Sequence, residues 1–101
     1  MEYPDEPEFA FPKSRRIRDP ELLAVFRTFP CLACGITPSD AHHISSRGAG
    51  GDDVPSNLMP LCREHHAEYH ARGPAYMIRT YSRVRGWLEH WDRQDILKHS
   101  P

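Results

Sequence analysis

Residues 61–70 read LCREHHAEYH, with one cysteine and three histidines in ten positions. About thirty residues earlier stands CLACG, residues 31–35, with two more cysteines. These two stretches constrain the fold more than anything else in the chain, because thiolates and imidazoles are the ligands that close tetrahedra around Zn²⁺. A domain of 101 residues buries a limited share of its surface and commonly needs a staple. Three cysteines are an odd number, which argues against a pure disulfide framework and for a metal staple in a reducing cytoplasm. Cys31 and Cys34 fit a knuckle in which Gly35 takes the positive φ of a tight turn. Cys62 and His65 lie three apart on an expected helix, share a face, and complete the set as third and fourth ligands. His66, four positions from Cys62, also shares that face and competes for the fourth place. The alternative is that the cysteines are buried free thiols.

The rest of the chain reads as a single soluble domain. No apolar run is long enough to cross a membrane, and no secretory signal is visible. Net charge is −1, but residues 1–9 hold four acids and no base; without them 13 bases face 10 acids. The bases gather at residues 13–18 and 79–85. This distribution permits a nucleic-acid partner without demanding one. Residues 1–18, rich in proline and charge and without apolar period, read as a mobile arm. Its basic end either touches phosphate or is simply solvated.

Asp19 followed by Pro20 is a helix start. Leu22, Val25, Phe26 and Phe29 then recur on one helical face, read as core, and Pro30 ends the helix. DAHHI, from residue 40, reads as a short strand, SSRGAGGDDVPSN as a glycine-rich loop, and LMPL as a second short strand or an extended entry to the next helix. A helix is expected over 61–71, with Gly73 as its stop and Pro74 opening the next. Met77, Tyr81, Val84, Leu88 and Trp91 form an apolar stripe at helical spacing. It is read as core, with a homodimer contact as the minor alternative, and Gly86 as the place where one unbroken helix is weakest.

If His65 serves zinc, His66 and His70 remain, stacked at i and i+4 on a face roughly 100° from the zinc face. His42 and His43 are adjacent on a strand and point to opposite sides. One can hold a metal while the other reaches a water, provided the strand is short and twisted against the helix. Asp40 is either a partner behind such a site or the start of the turn TPSD, and the turn is favoured. Arg47 is placed to meet phosphate or to stand in solvent, and Arg63 and Arg72 suit surface pairs.

The string CLACG, AHHI, GG, N, LMPLC, REHH, AEYH resembles the HNH endonucleases, the ββα-metal or His-Me finger group, in particular the small phage and prophage versions with a zinc knuckle. The resemblance covers residues 31–70. It implies an α+β fold with a ββα-metal core and structural zinc knuckle, flanked by an N-terminal helix and C-terminal helices, as one nuclease domain over 19–101. It also implies that His43 is the general base and that Asn57 orients the base and pins the loop. His42 and His66 would hold one divalent metal, with His70 assisting. Where relatives often carry a second C-x2-C in the helix, this chain has Cys62-x2-His65.

On this resemblance the chain is expected to be a metal-dependent DNA endonuclease, phage or prophage associated and cytoplasmic. It would leave a 5′-phosphate and carry a structural Zn²⁺ beside one catalytic divalent ion. Imidazole ligands favour Mn²⁺, Ni²⁺ or Zn²⁺ more than an all-oxygen site does, and Mg²⁺ fits with water completing its shell. An imidazole, with an ordinary pKa of about 6.5, accepts a proton from water near neutral pH. The alternative function is a zinc-stabilised module that binds nucleic acid or protein without cutting.

Overall fold

The Asp19 carboxylate accepts a hydrogen bond from the Leu22 amide at 3.0 Å, and Pro20 stands at the first helical position. These two residues start helix α1, Pro20–Arg27, in a computed structural model that describes residues 16–98. Strand β1, Asp40–His43, follows the cysteine knuckle. A loop with two single 3-10 turns, Arg47–Ala49 and Pro55–Asn57, leads to strand β2, Leu58–Leu61. Helices α2 (Arg63–Arg72), α3 (Pro74–Thr80), α4 (Ser82–His90) and α5 (Gln94–Leu97) complete the chain. The result is a small α+β fold of five helices and a two-stranded antiparallel sheet among the described residues.

The strands pair in the register Asp40↔Leu61, Ala41↔Pro60, His42↔Met59 and His43↔Leu58. Because strand side chains alternate, Asp40 and His42 share one face and Ala41 and His43 the other. All four residues of β2 are buried. Met59, Leu61, Cys31 and Cys62 join Tyr69 of α2, Met77 and Ile78 of α3, and Val84 and Leu88 of α4 in one core. The Trp87 indole N–H donates to the Leu58 carbonyl at 2.8 Å and pins α4 against β2.

Two expectations about the helices need correction. Of the apolar face of α1, only Phe26 is buried, with its ring 5.9 Å from that of Trp87; Leu22 is half-buried, and Val25 and Phe29 lie 48% and 36% exposed. The helix has eight residues, so it lays a narrow stripe on the small sheet, and Phe29 falls beyond the cap at Thr28, where the helical period has ended. The C-terminal stripe is likewise divided. Gly86 lies inside α4, while the break falls at Tyr81, whose extended backbone (φ −121°, ψ 109°) separates α3 from α4. Met77, Val84 and Leu88 still enter the chain's own core, and Tyr81 and Trp91 are half-buried. Gly73, at φ 88°, ends α2 in a backbone conformation that favours glycine.

Of the arm expected over residues 1–18, residues 1–15 lie outside the described residues. Residues 16–18 run along the loop: the Ile17 amide donates to Asp52 Oδ1 and the Asp53 amide to the Ile17 carbonyl, both at 3.0 Å. Among the described residues no helix is long and apolar enough to cross a membrane.

Candidate functional site

The knuckle is a backbone construction. The Gly35 amide donates to the Cys31 carbonyl at 2.8 Å, with Gly35 at φ 80°, and the Cys31 amide donates to Ile36 at 3.0 Å. This turn brings Cys34 back beside Cys31. The Leu32 amide donates to the Pro60 carbonyl at 3.0 Å, which stitches the knuckle to β2 two residues before Cys62. Cys62 then caps α2, and one turn into the helix His65 faces the sulfurs. Cys34 Sγ lies 3.8 Å from Cys62 Sγ, and His65 Nδ1 lies 3.2 Å from Cys62 Sγ and 3.7 Å from Cys31 Sγ. A tetrahedron with metal–sulfur bonds of about 2.3 Å has edges of about 3.8 Å, so the four donor atoms sit at the spacing of a zinc site. Burial acts to raise the Cys31 thiol, but backbone hydrogen bonds at Cys62, Cys34 and Ala33 carry it down to about 7, toward the thiolate a metal requires. The three cysteines are free thiols, and with His65 they form a cluster that could hold a metal ion such as zinc. Of the two histidines competing for the fourth place, His65 stands beside the sulfurs and His66 faces another way.

His66 meets His42 and His70. His42 is 2% exposed, and its ring centroid lies 4.9 Å from His66, 5.3 Å from His70 and 4.2 Å from Tyr69. Among the described residues neither ring nitrogen of His42 has a hydrogen-bond partner. Burial first, and then the neighbouring His66, His70 and His43, hold its pKa down to about 3, so the ring is neutral and offers a lone pair. One nitrogen from each of the three rings lies within 4.8 Å of the others. Asp40, on the same strand face as His42, stands behind the trio: its Oδ2 lies 2.9 Å from His66 Nδ1. The Arg63 guanidinium, at 2.9 and 3.4 Å, and His66 hold Asp40 below the usual carboxylate range. The favoured reading of Asp40 as a turn residue is corrected: it belongs to β1 and orients an imidazole. A carboxylate on one nitrogen of a histidine fixes the tautomer and presents the other to a cation.

His43 points to the other side of β1, toward the loop. Its Nε2 donates to Asp53 Oδ1 at 2.7 Å. The Asp53 side chain is fully buried and also accepts from the Asp19 amide at 2.9 Å and from Arg47 at 3.3 Å. Burial acts to raise its pKa, but His43, the Asp19 amide and Arg47 prevail and hold it at about 2. An ionised carboxylate on Nε2 keeps the proton there and leaves Nδ1 with its lone pair. Of the two roles expected of Asn57, its side-chain hydrogen bonds match the hold on the loop and none of them reaches His43. Asn57 Oδ1 accepts from the Ser45 amide at 2.8 Å, and its Nδ2 donates to the carbonyls of Ser45 and Asp52 at 3.0 and 2.9 Å. Asn57 therefore pins the loop, and Asp53 partners the histidine. Asp53 escaped sequence reading because it sits in an aperiodic stretch ten residues from His43; the acidic pair DD after the glycines was the only local signal.

Around the three rings the surface opens into a cleft of about 230 Å³, lined by Ala41, His42, His43, Ser46, Arg47, His66 and His70. A larger cleft of about 530 Å³ adjoins it, lined by Arg27, Asp40, Ala41, Arg63, His66, Ala67 and His70. Guanidinium groups thus flank the imidazole trio on both sides.

The fold and site define a small α+β domain with a Cys3His cluster and a separate imidazole trio, one ring from β1 and two from α2. A family model described as a protein of unknown function (DUF968) matches residues 2–94, and the chain belongs to that family. Over 78 residues the chain is 35% identical to the uncharacterized protein YdfU of Escherichia coli (strain K12). The match covers 72% of this chain and 22% of that relative, so the chain spans only part of its length. No solved structure matches the chain.

Proposed function

We propose that this domain is a metal-dependent DNA endonuclease of the HNH type. The observation that carries the reading is His42: a buried imidazole with two unpartnered nitrogens, set against His66 and His70. A buried polar group without a partner is costly, and a cation would satisfy it. The next residue along the strand is the Asp53-bound His43, the arrangement a general base requires. The succession of β1, loop, β2 and α2 supports a ββα-metal core, with the Cys3His cluster as its structural zinc.

In this reading His43 Nδ1 takes a proton from water, whose oxygen attacks phosphorus. Ionised Asp53 stabilises the imidazolium that forms. The bond to the 3′ oxygen breaks with its electron pair on that oxygen, which takes a proton from solvent water; the products carry a 5′-phosphate and a 3′-hydroxyl, and His43 returns its proton to solvent. His42 and His66 would hold one divalent cation, with His70 assisting and Asp40 orienting His66. Such an ion, when bound, stabilises negative charge on the phosphate and the leaving oxygen. Arg47 lines the same cleft, half exposed, and suits a phosphate contact. A thiolate-rich zinc site suits a reducing compartment, in keeping with action in the cytoplasm of a prokaryote or a phage-infected host. A zinc-stabilised module that binds without cutting would give no account of His42.

The test is cleavage of plasmid, single-stranded and branched DNA by the purified chain with Mg²⁺, Mn²⁺, Ni²⁺ or Zn²⁺. Scission that stops with chelator and returns with one of these ions is expected. Intact substrates under every ion would sink the reading.

A further inference from the structure

The diagnostic residues all lie within 31–70, yet the C-terminal segment reaches back into the loop they frame. Arg93 stands between α4 and α5, with a side chain only 15% exposed. Its Nη1 donates to the Ser56 carbonyl at 2.9 Å and to Asn57 Oδ1 at 3.2 Å. Its Nη2 donates to Ser45 Oγ at 3.2 Å. Asp95 holds the same guanidinium from behind, at 2.9 and 2.7 Å. One planar group therefore spans both ends of the loop over residues 45–57. Those ends are already crossed by Asn57, and the middle of the loop folds back onto them so closely that a Cβ on Gly51 would clash with the Ser45 carbonyl oxygen and the Asn57 amide. The closed loop carries Arg47 and Asp53, and Asp53 holds His43.

We propose that Arg93 is a latch, a positioning residue that fixes the two ends of the loop so that Asp53 meets His43. The C-terminal segment is then part of the working unit and more than a cover for the core. The consequence for catalysis rests on the nuclease reading; the consequence for the loop does not. Lysine cannot replace this arginine, because a single ammonium on a flexible stem does not hold the Ser56 carbonyl, Asn57 Oδ1 and Ser45 Oγ at fixed angles.

The experiment compares the full chain with Arg93→Lys and with Asp95→Asn, which leaves the guanidinium but removes its support. Amide exchange at Ser45 and Gly51 should quicken about tenfold in Arg93→Lys, and less in Asp95→Asn, as the loop loses its brace. Zinc content and exchange within α2 should stay at the parent level, which separates a loosened loop from a lost fold. Cleavage should show kcat down about 10–100-fold with KM unchanged, the mark of misplaced groups and intact substrate binding. Parental exchange at Ser45 and Gly51 in both variants would overturn the latch whatever the cleavage data say. Faster exchange with parental kcat would overturn its positioning role. If the parent itself cuts nothing, the nuclease reading fails, and the exchange rates still decide the latch.

Discussion

His65 and His66 are neighbours in the chain, yet they enter clusters of opposite character. His65 turns to three sulfurs supplied by the knuckle and the start of α2, and the four donors close on one another. His66 turns to His42 and His70, a set of three imidazoles beside an open cleft. A step of about 100° along one helix thus separates a closed site from an open one. Closed tetrahedral sites hold folds together, whereas sites with a vacant position admit water or substrate. Their surroundings differ in the same sense. The first cluster draws on core residues Cys31 and Cys62, and the second is flanked by Asp40, Arg63 and Arg47.

The sharpest way to break this comparison is Cys34→Ala. Cys34 is exposed, and an exposed substitution away from any special feature ordinarily moves stability little. If the sulfurs hold structural zinc, the same change should take zinc content from about one ion per chain to none and abolish cooperative melting, because metal-binding free energy is folding free energy in such domains. Unchanged zinc and an unchanged melting curve would show that the cluster staples nothing. His43→Ala should act on the other side of the division. It should cut DNA cleavage by about 10²–10⁴-fold, the usual contribution of a general base, while zinc content stays put and melting falls only by the loss of one partner of buried Asp53. Cleavage at the parent rate in a clean preparation would remove His43 from the chemistry.

What could be read from the sequence follows how locally each feature is encoded. Cys31, Cys34 and Cys62 come from two short stretches whose spacing brings them together, while spacing leaves His65 and His66 in competition for the fourth place until α2 is set beside the knuckle. The two short strands follow from DAHH and LMPL, bounded by glycine, serine and proline. The failures concern partners set by tertiary placement. Val25 and Phe29 match helical spacing in the sequence, but the helix ends before Phe29, and two turns on a two-stranded sheet bury little more than Phe26. Asp40 looks like a turn residue until β1 packs on α2 and brings it to His66. Asp53 and Arg93 carry no periodic signal, since a loop and an inter-helix residue have none. Their importance appears only when the loop closes.

Asp40→Asn probes the open site more gently. The amide keeps the size of the side chain but loses the charge that orients His66. Replacing a carboxylate behind a metal-bound histidine typically weakens metal affinity about 10–100-fold. Titration calorimetry with Mn²⁺ or Ni²⁺ on zinc-loaded protein should show that loss with zinc content unaltered. A variant that binds the second ion as the parent does would leave Asp40 as an ordinary surface partner of Arg63.

The smallest expected effect is the most discriminating, because its sign depends on the metal. His42→Phe replaces a buried ring that has two unpartnered nitrogens with a slightly larger apolar ring. Relief of the unsatisfied nitrogens, partly offset by crowding, should stabilise the zinc-loaded protein by about 1 kcal/mol when no other cation is present. The parent, however, should gain about 2.7 kcal/mol from an ion at a hundred times its dissociation constant, and the variant should gain almost nothing. The two melting curves should therefore cross: the variant melts higher without added Mn²⁺ or Ni²⁺, and the parent melts higher with it. Parallel curves at every ion concentration would mean that His42 is a core residue and that the three rings share no cation.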